Sequence, residues 1–202
     1  MTEQLLYSVM EIFPTLQGEG YYQGHASTFI RLAGCNVACV WCDVKESWDE
    51  KKFPLMNVES ILNKVKSYTS KIVVITGGEP LLQNCDLLTK ELQKAGYQCH
   101  VETSGTTKLS GTWQWITFSP KKFKNPIDSF CQLAHELKIV INHPSDFEWA
   151  EGFAKKVSKE CKLFLQPEWE KSSMITPQII EYIKKNPQWA LSLQIHKFVN
   201  IP

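Results

Sequence analysis

Three cysteines lie within eight residues, at Cys35, Cys39 and Cys42, in the pattern C-x3-C-x2-C. Three thiolates can bind three irons of a four-iron cluster, and this loop then offers no ligand to the fourth iron. An iron with an open position can bind a reacting molecule, whereas a site closed by four cysteines is usually structural or carries electrons. The spacing therefore predicts an iron–sulfur centre that takes part in chemistry.

A second interpretation of the same cysteines stays open at this point. A structural or adaptor zinc site could use the three thiols together with a distant ligand such as His25 or His100. The total of seven cysteines is odd, and the first ten residues lack a basic and apolar leader, so we expect reduced thiols in a cytoplasmic protein. Four cysteines have no partner at metal-ligand spacing and are expected to be buried: Cys85, Cys99, Cys131 and Cys161.

The composition predicts one globular domain over residues 1–202. The chain is 43% hydrophobic, its formal net charge is +1, and its apolar runs are too short to span a membrane, so neither nucleic acid nor a membrane is expected as a partner. Arg31 is the only arginine among the 22 basic residues. An arginine can bind a carboxylate through two parallel hydrogen bonds, which a lysine cannot do. Arg31 is therefore either a carboxylate clamp or one half of a structural ion pair.

Short apolar runs alternate with amphipathic segments along the chain. The runs predict strands at 27–33, 71–76, 98–103, 113–119, 136–141, 161–166 and 189–195. The amphipathic segments predict helices at 58–68, 85–96, 145–157 and 176–185, the third with a capping box (Ser145, Glu148) and the fourth starting at Thr176-Pro177. About 200 residues is short for a complete eight-stranded barrel. We therefore predict an α/β fold: an open partial (β/α) barrel of about six mostly parallel strands, with some abbreviated helices.

Polar and glycine-rich segments follow five of the predicted strands. They are the cysteine loop 34–43, Gly77–Pro80, Glu102–Gly105, Ser119–Lys121 and Gln166-Pro167. In parallel α/β proteins the carboxyl ends of the strands form the edge where ligands bind. The five segments are therefore expected to surround a single site.

Seven segments together resemble the 7-carboxy-7-deazaguanine synthase family of radical S-adenosylmethionine (SAM) enzymes. They are EIFPTLQGEGYYQG (11–24), FIRLAGCNVACVWCD (29–43), VVITGGEP (73–80), VETSGT (101–106), FSPK (118–121), LQP (165–167) and QIHKFVNIP (194–202). The LQGEG and HK-x-x-N-I-P motifs are more specific than the cysteine motif, which a large superfamily shares. A radical SAM activase that acts on a protein would have no reason to keep these two motifs.

The resemblance implies which residues bind the cofactors. Cys35, Cys39 and Cys42 would bind a [4Fe-4S] cluster, whose open iron takes the amine and carboxylate of SAM. The pocket for SAM would comprise Gly77, Gly78, Glu79, Glu102, Ser104, Ser119, Lys121 and Gln166. For Lys121, a solvated surface position is the alternative that stays open.

The resemblance also implies the substrate and the reaction. The substrate would be 6-carboxy-5,6,7,8-tetrahydropterin, which a radical ring contraction converts to 7-carboxy-7-deazaguanine with loss of ammonia, in queuosine and 7-deazapurine biosynthesis and tRNA modification. An N-terminal loop at 11–24 and a C-terminal tail at 194–202 would bind it. The implied contacts are Gln17, Glu19, Arg31, His196, Lys197 and the Pro202 carboxylate.

One departure from the family pattern bears on metal binding. Val44 follows Asp43 where relatives carry a threonine whose hydroxyl helps to bind Mg²⁺. Mg²⁺ prefers oxygen ligands, so the ion is held by substrate and water, is moved to Asp43, or is absent. The resemblance further implies a flavodoxin or ferredoxin as electron donor, and a homodimer.

Overall fold

The structure, a computed structural model, describes residues 5–202 and contains a nine-stranded sheet. The strands are β1 (Leu6–Leu16), β2 (Ala26–Leu32), β3 (Leu55–Asn57), β4 (Ile72–Gly77), β5 (Gln98–Thr103), β6 (Trp115–Phe118), β7 (Glu136–Ile141), β8 (Lys162–Pro167) and β9 (Trp189–Leu191). Their order across the sheet is β3-β1-β2-β4-β5-β6-β7-β8-β9. From β2 to β9 every neighbouring pair is parallel, whereas β1 runs antiparallel to both of its neighbours.

In the described residues 5–202, six α-helices accompany the sheet. They are α1 (Val58–Lys66), α2 (Asp86–Lys94), α3 (Phe130–Leu133), α4 (Asp146–Ala154), α5 (Ser172–Lys185) and α6 (Ile195–Val199), and three short 3₁₀ turns lie at Lys45–Trp48, Glu50–Lys52 and Pro80–Leu82. Within residues 5–202, each helix is too short or too polar to cross a bilayer.

The two faces of the curved sheet carry different side chains. On β7, Leu137, Ile139 and Ile141 are fully buried in the core beneath the helices. Because side chains alternate along a strand, Glu136 and Lys138 point to the opposite, inner face. The sheet remains open, with β3 and β9 at its two edges. The inner face of this open barrel therefore presents polar side chains to the site.

The predicted partial barrel is confirmed, with two differences in the strands. All seven predicted strands are present and form the parallel part of the sheet, one more than the six we expected. β1 and β3 were not predicted, and residues 11–16 belong to β1 rather than to a loop. The last predicted strand ends at Leu191, because Ser192 turns to donate to Gln166, and the short helix α6 follows.

One predicted helix cap and one predicted helix start are wrong. Ser145 makes no capping hydrogen bond; the Asp146 carboxylate instead accepts from the backbone N–H groups of Asn142 and His143 at 2.8 and 2.9 Å. α5 begins at Ser172, so Pro177 lies inside the helix and not at its first position. Local sequence patterns identified the four longer helices but not α3 or α6, and they did not identify the residues that satisfy the first turns of α4 and α5.

Candidate active site

A cavity of about 660 Å³ lies at the carboxyl ends of the parallel strands. Sixteen of the seventeen residues predicted from the sequence line it: Gln17, Glu19, Arg31, Cys35, Cys39, Cys42, Gly77, Gly78, Glu102, Ser104, Ser119, Lys121, Gln166, His196, Lys197 and Pro202. The β1–β2 loop and the C-terminal tail, which are far apart in the sequence, therefore meet the cysteine loop around one cavity.

The cysteine loop bends its three thiols toward this cavity. Gly34 and Ala38 both have positive φ angles, 98° and 54°, which turn the chain sharply around Cys35 and Cys39. The Cys42 N–H donates to the Cys39 carbonyl at 3.0 Å, and the Gly34 N–H donates to the Ser47 carbonyl at 2.7 Å. Cys39 is buried, Cys35 and Cys42 are half-buried, and all three are free thiols. Three thiols that share one cavity fit the ligand set of an iron–sulfur cluster.

The histidines suggested for a zinc site lie far from these thiols. His25 directly precedes β2 and Cys35 follows it, so the seven-residue strand separates them by about 20 Å. His100 packs its ring against Tyr22 near the amino ends of the strands, with centroids 4.6 Å apart. In the described part of the chain, no three His, Cys, Asp or Glu side chains converge as they would around a single metal ion.

The loop Gly77–Pro80 packs directly on the cysteine loop. A Cβ atom on Gly78 would lie 2.3 Å from the Gly34 carbonyl oxygen and 2.8 Å from Cys35 Cβ. The Glu79 N–H donates to the same Gly34 carbonyl at 2.8 Å. Only a glycine at position 78 permits this approach, so the two loops define each other's position.

Glu79 is the one predicted site residue that does not line the cavity. Its carboxylate is 1% exposed and accepts from Thr103 Oγ1 at 2.6 Å and from the Ser104 N–H at 2.8 Å. These bonds tie the Gly77–Pro80 loop to the end of β5. The assignment of Glu79 to the cofactor site stays a prediction; in this structure its side chain bonds to the end of β5 and does not line the cavity.

The loop between β1 and β2 enters the barrel from the amino ends of the parallel strands. A Cβ on Gly18 would lie 2.0 Å from His196 Nδ1, and one on Gly20, which has φ +66°, would lie 2.0 Å from Glu136 Oε1. The Gly20 N–H donates to Ser192 Oγ at 3.0 Å. The loop thus closes the floor of the cavity and is packed too tightly for side chains at these two positions.

Lys138 is a site residue that the sequence analysis missed. Its side chain lies on the inner face of β7, makes an ion pair with Glu19 and approaches Glu102 Oε2 at 3.9 Å. Gln17 Nε2 donates to Glu102 Oε1 at 3.0 Å. Burial alone would raise the pKa of Glu19, but the charge and hydrogen bond of Lys138 lower it to about 2. A lone lysine within the apolar run ELKIVI was the available signal, because buried lysines are nearly always paired.

The C-terminal tail packs against the floor loop and the cysteine loop and completes the cavity wall. Gln194 Nε2 donates to Glu19 Oε1 at 2.8 Å, and Lys197 Nζ donates to Asp43 Oδ2 at 3.0 Å. The Pro202 carbonyl oxygen accepts from Thr15 Oγ1 at 2.7 Å. The tail therefore connects the floor loop to the residue that follows the last cysteine of the cluster motif.

Arg31 makes an ion pair and also lines the cavity. Its Nε donates to Glu11 Oε1 at 2.6 Å across the β1–β2 pair, and its guanidinium lies over the Phe13 ring, 5.8 Å from the centroid. Within residues 5–202, Glu11 is the only carboxylate that Arg31 contacts. The side chain also lines the cavity, so its terminal nitrogens remain available to a ligand.

Lys121 lies at the cavity wall rather than on a solvated surface. Its Nζ donates to the Ser119 carbonyl at 2.6 Å and lies 5.9 Å from the centroid of the Trp41 ring. Burial lowers the pKa of this ammonium.

Gln166 lies on the next part of the wall. Its Oε1 accepts from Ser192 Oγ at 2.8 Å, which leaves the amide nitrogen of Gln166 to donate to a ligand.

Glu136 lies beneath the floor loop and is 2% exposed. Its Oε2 accepts from the Tyr21 N–H at 3.0 Å and from Trp115 Nε1 at 3.2 Å. Burial raises the pKa of this carboxyl to about 7, against the smaller lowering effect of Lys138. The folded protein therefore binds one more proton than the unfolded chain between about pH 4.5 and 7, and stability decreases as the pH rises through that window.

We expect Glu136→Gln to stabilise the protein at pH 8 but not at pH 5. The amide oxygen keeps an acceptor for Tyr21 and Trp115 without an ionised buried group. The gain at pH 8 is at most about 3 kcal/mol, the value of a pKa shift from 4.5 to about 7. Thermal unfolding at both pH values measures it, with Glu148→Gln on the exposed face of α4 as control. An equal gain at both pH values would contradict this explanation.

Comparisons with known proteins agree with the geometry. A profile of the Radical SAM superfamily matches residues 29–116. The chain is 47% identical over 194 residues to the 7-carboxy-7-deazaguanine synthase of Flavobacterium psychrophilum, covering 96% of this chain and 92% of the relative. It is 35% identical over 222 residues to the enzyme of that name from Escherichia coli K12, covering 96% and 99%. The crystal structure of QueE from Escherichia coli superposes with a TM-score of 0.84 at 32% identity, over 93% of both chains.

Proposed function

Because the chain belongs to the 7-carboxy-7-deazaguanine synthase family of the radical SAM superfamily, we propose that it converts 6-carboxy-5,6,7,8-tetrahydropterin to 7-carboxy-7-deazaguanine. The reaction releases ammonia and serves queuosine and 7-deazapurine biosynthesis. One observation carries the proposal: the floor loop 17–20, the cysteine loop and the tail 194–202 all line one cavity of about 660 Å³. A small bicyclic substrate and SAM fit the usual size of an enclosed ligand site.

The residues around the cysteine loop fit the cofactors. Cys35, Cys39 and Cys42 would hold the [4Fe-4S] cluster, and the backbone of Gly77-Gly78 would accept from the methionyl amine of SAM. When bound, these groups supply the one-electron chemistry that starts the rearrangement of the pterin. Beyond them, the Glu102 carboxylate and the Lys121 ammonium line the wall and would bind the hydroxyl and carboxylate groups of SAM.

The opposite side of the cavity fits the substrate. Gln17 and Glu19 present an amide and an ionised carboxylate at the floor, which suits the N–H and carbonyl groups of a pterin edge. Arg31 would bind the substrate carboxylate through its terminal nitrogens. His196, Lys197 and Pro202 contact the substrate from the tail and, with the floor loop, exclude water from the reaction.

Further parts of the proposal concern partners and metal. Val44 lines the cavity and has no side-chain oxygen, so any Mg²⁺ would be held by the substrate, by water and by the neighbouring Asp43. We also propose a flavodoxin or ferredoxin as electron donor, a homodimer, a product that feeds tRNA modification, and a cytoplasmic location. The seven cysteines, all free thiols in the structure, support the last point.

The proposal is tested by anaerobic reconstitution with iron and sulfide, followed by incubation with SAM, a chemical reductant and the carboxypterin. We expect a brown protein that forms the deazaguanine product, ammonia and, in side reactions, 5′-deoxyadenosine. A protein that cleaves SAM but leaves the carboxypterin unchanged would rule out this substrate. A colourless protein that contains zinc would support the structural zinc site instead.

We expect Arg31→Lys to reduce turnover of the carboxypterin by about 10- to 100-fold, because charge-assisted hydrogen bonds contribute about 1.5–3 kcal/mol. Cleavage of SAM without product formation should fall much less, since Arg31 contacts only the substrate side. Product and 5′-deoxyadenosine are measured in the same reaction.

Glu11→Gln is the matched control for Arg31→Lys. It removes the ion pair of Arg31 but leaves the guanidinium in the cavity wall. Turnover close to the wild-type value is expected. An equal loss of turnover in the two variants would show that Arg31 acts through its ion pair with Glu11 and not on the substrate.

A further inference from the structure

One buried lysine holds two carboxylates together at the floor of the cavity. Lys138 is 4% exposed, pairs with Glu19 and lies 3.9 Å from Glu102 Oε2. The other oxygen of Glu19 accepts from Gln194 Nε2 at 2.8 Å, and the other oxygen of Glu102 accepts from Gln17 Nε2 at 3.0 Å. Each carboxylate is thus held from two sides, and Lys138 is the contact that both share.

We propose that Lys138 is a positioning residue that fixes Glu19 toward the substrate and Glu102 toward the cofactor, and so couples the two halves of the site. This inference rests on the proposed function, which assigns Glu19 to the pterin and Glu102 to SAM. One cation between two carboxylates leaves one net negative charge at the floor. That charge suits the ring N–H groups of a pterin and the ribose hydroxyls of SAM, all of which donate hydrogen bonds.

Stability alone gives no reason for a charged group at this position. Burying an ammonium and two carboxylates carries a large desolvation cost, and apolar side chains of similar volume are often as stabilising or more so. The neighbours of Lys138 on β7, Leu137 and Ile139, are fully buried apolar residues. A charged side chain on the inner face, aimed at two carboxylates that line the cavity, is better explained by the ligands that those carboxylates bind.

The surrounding carboxylates keep the Lys138 ammonium ionised at neutral pH. Lys138 interacts with the carboxylates of Glu19, Glu102 and Glu136. Two further titratable side chains act on this cluster, Lys121 and His196. Burial alone would lower the pKa of Lys138, but the three carboxylates together raise it above its usual value. Without this ammonium, Glu19 and Glu102 would face each other without a buried cation, and burial would raise the pKa of Glu19.

The first test is Lys138→Met, which keeps the length of the side chain and removes its charge. We expect kcat/KM for the carboxypterin to fall at least about 30-fold, the lower end of the effect of truncating one partner of a buried charge pair. Most of the loss should appear in KM. The loss should deepen as the pH falls, because burial raises the pKa of Glu19 once the charge of Lys138 is removed, and a protonated Glu19 no longer accepts from the pterin. Lys138→Arg retains the charge and should restore part of the affinity.

A binding measurement separates this role from turnover. The oxidised analogue 6-carboxypterin is titrated into the reconstituted protein without reductant, and its fluorescence reports binding. Lys138→Met should weaken this binding by about the same factor as it raises KM, whereas Lys162→Met, at an exposed lysine of β8, should bind like the wild type. A loss that is independent of pH, with unchanged KM and unchanged analogue affinity, would show a structural role only and overturn the proposal.

A double variant covers the case in which Lys138→Met does not fold. Glu19→Gln/Lys138→Met removes one charge of each sign, so it should regain thermal stability but not analogue affinity. Recovery of both together would overturn the positioning role.

The wild type distinguishes failure of this inference from failure of the proposed function. If the wild type neither binds nor converts the carboxypterin, the proposed function fails as well. If the wild type does both and Lys138→Met matches it, only this inference fails.

Discussion

Replacing Cys42 with alanine is expected to abolish both iron loading and cleavage of SAM. The thiol is half-buried in a loop that presents three thiols to one cavity, and a cluster cannot be held there by Cys35 and Cys39 alone. Iron content, the visible absorption of the anaerobically reconstituted protein and 5′-deoxyadenosine formation measure the loss. We expect all three to fall to background.

Cys131→Ala is the matched control for Cys42→Ala. Cys131 is a free and buried cysteine of α3 that does not line the cavity. It should retain the iron and the activity, with a modest loss of thermal stability from the small cavity it creates. A Cys42→Ala protein that keeps a cluster and still cleaves SAM would refute the assignment of the three cysteines.

Gly78→Ala is expected to have the second largest effect, although it adds only one methyl group. That methyl would lie 2.3 Å from the Gly34 carbonyl oxygen, so the Gly77–Pro80 loop or the cysteine loop must move. Overpacking of this kind typically costs about 1–3 kcal/mol, and here the displacement acts on a cluster ligand and on the SAM pocket together. We expect at least about a 100-fold loss of SAM cleavage, because small displacements near a reacting group can have such effects.

Gly152→Ala is the control for Gly78→Ala. Gly152 lies in α4, and a Cβ there would meet no atom within 4 Å. Alanine is the better helix former, so this variant should be about 0.5–1 kcal/mol more stable than the wild type and fully active. Gly78→Ala with normal iron content and normal SAM cleavage would show that the contact between the two loops relaxes without consequence.

The parallel part of the fold was predictable from the sequence because its strands are buried on at least one face. Runs such as KIVVIT and ELKIVI contain enough apolar residues to identify β4 and β7, and their order with the helices implies the partial barrel. β1 was missed because burial along it follows no simple period: three consecutive residues are buried near its start, and Ile12 and Phe13 are both half-buried. β3 has only three residues, too few for any period to be read.

The candidate site was predicted better by motifs than by physical patterns. The cysteine spacing and the strand-end loops identified the edge of the sheet, and the resemblance added the floor loop and the tail; the family it indicated is confirmed. The partners of Lys138 and the orientation of Glu79 were not predictable in this way. Both depend on contacts between residues that are far apart in the chain, Lys138 with Glu19 and Glu79 with Thr103, and a single sequence does not record such pairs.

The contacts that close the floor of the cavity join residues from nearly opposite ends of the chain. Gln194 and Glu19, which bond at 2.8 Å, are 175 positions apart. Pairings of such high contact order form late, because the entropy of closing a long loop must be overcome first. During synthesis on the ribosome, which releases the amino-terminal part first, the sheet can grow strand by strand long before Gln194 is made. The nascent chain should therefore become resistant to proteases well before it becomes able to bind its substrate.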